Sequence, residues 1–89
     1  MAKALTFRQL AKNFQKQADL YSRLAKLQNQ QASAASQTLP ADSDPGAPAA
    51  LQAVIGMFDL AVRSFYTSDG QQQQADAANA AADAAGEPA

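Results

Sequence analysis

The stretch that decides the fold runs from Ala4 to Ser36, ALTFRQLAKNFQKQADLYSRLAKLQNQQASAAS. Alanine returns at every seventh position, at Ala4, Ala11, Ala18, Ala25 and Ala32, while Phe7, Phe14 and Tyr21 keep the same interval on the adjoining face. A seven-residue repeat held over four heptads marks a helix that packs along its length against another helix. Because the repeating side chain is only a methyl group, that partner can approach closely. Neither Gly nor Pro interrupts residues 5–36, and good helix formers such as Ala, Leu, Gln, Lys and Arg dominate. The pattern predicts one long amphipathic helix over residues 1–36.

On a helical wheel Phe7, Leu10, Phe14, Tyr21 and Leu24 cluster with the alanine row, and Arg8, Lys12, Lys16, Arg23 and Lys26 gather almost opposite. Leu20 and Leu27 join Leu24 on a flank beyond the main seam, which marks a second contact surface.

Outward from this helix, residues 37–47 hold Pro40, Asp42, Ser43, Asp44, Pro45 and Gly46, the composition of a turn or short linker. Pro48 then fits the first turn of a second helix, where its missing N–H costs nothing. Leu51, Val54, Ile55, Phe58, Ala61, Val62 and Phe65 follow at helical spacing, with Asp59 one turn before Arg63. This hydrophobic helix is expected over residues 48–69, with Gly70 as its stop. Residues 70–89 form an acidic Gln/Ala-rich tail with a seven-residue period, which composition leaves open between disorder and a further helical segment. The predicted fold is all-α: a two-helix antiparallel hairpin with a C-terminal Ala-rich helical segment.

Composition excludes more than it assigns. Among 89 residues there is no Cys, His or Trp. Disulfides and thiolate metal sites are therefore impossible, and the commonest general base and transition-metal ligand are missing. Asp42 and Asp44 sit two apart in the turn but lack the spacing of a calcium loop. No catalytic, cofactor-binding or metal-binding residue is assigned, no cofactor is expected, and the chain reads as a non-enzyme. Hydrophobic residues make up 47%, but alanine supplies about half of them, so large core-forming side chains are few for a domain of this size. No stretch resembles a signal peptide or transmembrane segment, so synthesis in the cytoplasm is expected, with a final location inside an assembled particle such as a virion.

Charge is polarised along the chain. Residues 1–38 carry six basic side chains against Asp19, a net +5, whereas the remainder sets Arg63 against seven acidic residues, a net −6. Such polarity favours antiparallel folding-back or head-to-tail association of copies. The candidate helix-packing surface comprises Ala4, Phe7, Leu10, Ala11, Phe14, Ala18, Tyr21, Leu24, Ala25, Leu51, Val54, Ile55, Phe58, Val62 and Phe65. The basic stripe Arg8, Lys12, Lys16, Arg23 and Lys26 is the candidate anion or nucleic-acid contact.

The functional expectation is a small structural subunit of a larger assembly, of virion (phage) or appendage type, packing against copies of itself or a larger structural protein. The alternatives are an internal virion protein whose basic face contacts nucleic acid, and a small chaperone or adaptor that receives a client helix. Ser43-Asp44-Pro45 ahead of Ala50-Leu51 loosely resembles the turn of type III secretion needle subunits, which are also short helical hairpins. That resemblance spans only the turn and implies no functional position.

Overall fold

The computed structural model describes residues 5–88. Two helices, α1 (Phe7–Ser36) and α2 (Ala47–Ala84), fold back on one another as an antiparallel hairpin. The rod measures 65 × 26 × 15 Å.

Both ends of α1 follow from local chemistry. Thr6 closes a capping box: its hydroxyl accepts from the Gln9 N–H at 3.1 Å, and the Gln9 amide oxygen accepts from the Thr6 N–H at 3.0 Å. Two otherwise orphaned donors are satisfied reciprocally. At the other end the Gln37 and Thr38 N–H groups turn back to the carbonyls of Ala34 and Ala35, and the Thr38 hydroxyl also donates to Ala35.

Asp44 organises the turn. Its carboxylate accepts from the Gly46 N–H at 2.7 Å and its carbonyl from the Ala47 N–H at 3.0 Å, the self-bonding that suits Asp to turns. Pro48 occupies the first turn of α2 as its residue type requires.

Gly70 does not stop α2. The helix runs unbroken through the glutamine tract and the alanine-rich segment to Ala84, so the expected 48–69 helix and 70–89 tail are one element. A mid-helix glycine costs only about 1 kcal/mol relative to alanine. That cost is outweighed because the segment beyond Gly70 is rich in the best helix former and buries Ala75 and Ala82 against α1. The true terminus is Gly86, the one residue with positive φ (72°) among those described. Its N–H bonds the Asp83 carbonyl, and the Glu87 N–H bonds that of Ala82. This is a Schellman ending, which needs glycine at the left-handed position.

A Cβ added at Gly56 or Gly70 meets nothing within 4 Å. Gly56→Ala and Gly70→Ala should therefore each stabilise the hairpin by about 0.5–1 kcal/mol, read as a higher melting midpoint by circular dichroism. Gly86→Ala, at positive φ, should lower it.

The candidate helix-packing surface

Four α1 residues are buried, Ala11, Ala18, Ala25 and Ala32, all from the seven-residue row. On α2 the buried set is Val54, Ala61, Ser64, Ala75 and Ala82. With half-buried Ser68 between them, Val54, Ala61, Ala75 and Ala82 form a second seven-residue row facing the first. The Ser68 hydroxyl donates to the Ala18 carbonyl at 2.7 Å and fixes the register. One heptad in opposite directions from that contact brings Ala25 level with Ala61, Ala32 with Val54, and Ala11 with Ala75. Small residues meeting small residues let the helix axes approach to the short end of the usual 8–10 Å range. Ala4, which would continue the row, lies outside the described residues.

Polar groups lock this register from the sides. Gln15 and Gln72 exchange two amide hydrogen bonds, each 2.7 Å, and each also donates to an aspartate one turn along its own helix, Asp19 and Asp76 respectively. Nearer the turn, the Ser64 hydroxyl donates to the Gln28 amide oxygen at 2.6 Å. These pairs satisfy groups the seam partly buries, and they are directional where methyl contacts are not.

The two termini close on each other. The Glu87 carboxylate accepts from the Phe7 and Arg8 N–H groups at 3.2 and 3.4 Å, placing a negative charge at the N-terminus of α1. Arg8 reaches the opposite way to the C-terminal end of α2, donating to Asn79 Oδ1, the Asp83 carboxylate and the Pro88 carbonyl. Both charges sit at the helix ends whose dipoles favour them. Asp83 is 70% exposed, so the ion pair alone is worth little; the clasp draws its strength from several charge-assisted bonds together. Arg8→Ala should cost about 1–2 kcal/mol, whereas Lys12→Ala should stay within about 0.5 kcal/mol, as compared by urea denaturation.

Of the expected packing residues, the hairpin buries Ala11, Ala18, Ala25 and Val54, and half-buries Leu10, Phe14 and Phe58. Phe7, Tyr21, Leu24, Leu51, Ile55, Val62 and Phe65 instead stand between 37% and 48% exposed. The physical reason is size: along most of the seam the closely spaced helices leave no room between them for a ring or a branched side chain, Val54 opposite Ala32 being the exception near the turn, so these residues flank the seam. Leu5, Leu20, Leu27, Leu60 and Tyr66 are more exposed still. Arg8 belongs to the terminal clasp, which separates it from the rest of the basic stripe; Lys12, Lys16, Arg23 and Lys26 are exposed and, among the described residues, unpaired. Asp59 and Arg63 form no ion pair there.

Sequence reasoning missed Ser64, Ser68, Gln15, Gln28, Gln72 and Glu87. For Ser68 a signal existed, since it continues Val54 and Ala61 in steps of seven to Ala75 and Ala82. Among the described residues, no group of acidic side chains is placed to hold a metal ion, and no helix is long and apolar enough to cross a membrane. Compared with protein-family models, curated proteins and solved structures, the chain matches none.

Proposed function

We propose that the chain is a small non-catalytic structural subunit that acts by helix packing within a larger assembly, such as a virion or a surface appendage. One observation carries this reading: apart from Val54, the hairpin spends alanine and serine on its own interior, and it leaves twelve large apolar side chains exposed. Scattered apolar residues are ordinary on a protein surface, but contiguous rows of them rimmed by polar groups mark contact sites. Here they line both flanks of the seam. Such a molecule is half of a packing problem.

Light scattering after size exclusion, over a range of protein and salt concentrations and with circular dichroism on the same fractions, tests the proposal. The expected species is helical, heavier than the 9.3 kDa chain, and loses helicity as it dissociates. A helical monomer at every concentration would contradict self-packing, and a mostly unfolded monomer would point to a different protein as the partner helix.

The four exposed cations Lys12, Lys16, Arg23 and Lys26 favour a second reading, in which this face lies along nucleic acid. It requires affinity that falls steeply with salt and is lost on Lys12→Glu and Lys16→Glu.

A further inference from the structure

Exposed apolar residues occur on both broad sides of the rod, but charged residues do not. In α1, consider the two rows that run in steps of seven from Phe7 and from Leu10; in α2, the corresponding rows run from Ala50 and from Ala53. Helix geometry places all four rows on one broad side of the antiparallel pair, because the Gln15–Gln72 contact identifies the other side. None of these rows contains a charged residue; every charge in α1 and α2 lies elsewhere. The side is uncharged along the full length of α1, roughly 45 Å by about 20 Å across two helices. That is on the order of 900 Å², close to the ~800 Å² each partner contributes to a standard interface.

From this we infer that the uncharged side docks a second copy of the same chain, with the twofold axis parallel to the helices, so that α1 of one copy lies over α2 of the other. The inference rests on the packing reading above and specifies its first contact. Two observations support this occupant, and the second selects the orientation.

The first is shape. Where α1 is bulky, at Phe7, Leu10 and Phe14, the α2 rows at the same level carry Ala78, Ala81 and Gln74. Toward the turn the two helices are matched in size, with Gln31 of α1 level with Met57 of α2 and Ala35 with Ala53. A twofold along the rod sets ridge over trough at the end away from the turn and like sizes at the turn. A twofold across the rod would set α1 over α1, and charge separates the two.

The second is charge. Within the helices α1 holds five cations and one anion, and α2 one cation and four anions. Crossing α1 over α2 stacks helices of opposite charge and antiparallel direction, whereas α1 over α1 stacks like charges.

The result is a four-helix bundle in which every neighbouring pair is antiparallel. Leu51, Ile55, Val62 and Phe65 stay on its outside for further contacts.

Leu24 and Leu60, 42% and 52% exposed, meet across the twofold, and the chain has no cysteine of its own. Full-length Leu24→Cys and Leu60→Cys proteins, mixed under mild oxidation, should give the crossed disulfide dimer in large excess over either self-linked product. Predominant self-linkage of Leu24→Cys, or no crossed product, overturns the inference. In parallel, the Leu24→Lys/Leu60→Lys protein should scatter as a monomer, while Ile55→Lys/Val62→Lys, on the opposite side and similarly exposed, should keep the dimer mass. If the wild-type protein is oligomeric but only the Ile55/Val62 change dissociates it, this face is wrong and the packing function stands. If the wild-type protein is a helical monomer, both fail.

Discussion

Ala25→Leu should destabilise the hairpin by about 3 kcal/mol or more, one of the largest effects of any single substitution in the chain. Ala25 is 0% exposed and lies level with Ala61, 2% exposed. Three added carbons have no void to enter, so the helices must move apart or the side chain must leave its rotamer. Overpacking of this kind typically costs 1–3 kcal/mol in cores that can yield locally. Here the strain spreads along a rigid two-helix contact, and the neighbouring pairs at Ala18 and Ala32 are loosened with it. Small domains have only about 5–10 kcal/mol of stability to lose, and each kcal/mol shifts the melting midpoint by roughly 4–8 °C in a chain of this length. Leu27→Ala, at a position 57% exposed, should change the midpoint by less than the equivalent of about 0.5 kcal/mol. Adding carbon at the smallest residue is thus more damaging than removing it from one of the largest.

Ending the chain at Gly70 should abolish cooperative folding of what remains. A reading of residues 70–89 as a dispensable tail predicts little change. The structure assigns those residues half of the seam: Ala75 and Ala82 are 0% exposed, Gln72 forms the reciprocal pair with Gln15, and Glu87 caps α1. Without them the first half of α1 faces water, and isolated helical segments of that length are marginal. The two Gln15–Gln72 bonds and the two accepted by Glu87 alone amount to roughly 4 kcal/mol at about 1 kcal/mol each, before the Arg8 contacts and any loss of packing. Circular dichroism of the shortened protein should show a sharp fall in helicity per residue and a broad, featureless thermal transition. A cooperative melt near that of the full chain would contradict the assignment.

The fold was legible where residue type and spacing spoke together. The alanine row of α1 announced both a helix and its contact face, and the concentration of Pro, Gly and Asp between Gln37 and Ala47 announced the reversal. The second row was obscured by its own composition. Val54, Ala61, Ser68, Ala75 and Ala82 change residue type at almost every step, and a more hydrophobic stripe through Leu51, Ile55, Phe58, Val62 and Phe65 runs beside them. Hydrophobicity ranks that stripe first, whereas close packing between two helices selects by size. The same competition explains why aromatic residues expected in the seam flank it. Gly70 misled because a helix stop and a tolerated mid-helix glycine look alike locally, and only the alanines beyond it distinguish them. The Glu87 clasp joins residues 80 apart in the chain, and no local pattern encodes that. Ser64, Gln15, Gln28 and Gln72 as seam bridges were unreadable for a related reason: their role depends on the register, which the opposing helix sets.

The central claim is that the chain closes on itself along an alanine-to-alanine seam and turns its large residues outward. Because the protein has no cysteine, a designed pair reports directly. Ala25→Cys/Ala61→Cys, oxidised at low protein concentration and run without reductant, should form an intramolecular disulfide, giving a faster-migrating monomer that melts higher than its reduced form. Ala25→Cys/Ala75→Cys, two heptads out of register and so about 21 Å displaced along the helix, should not. Covalent dimers from the first pair, or equal cross-linking of both pairs, would show that the helices meet between chains or without fixed register, and would contradict the account.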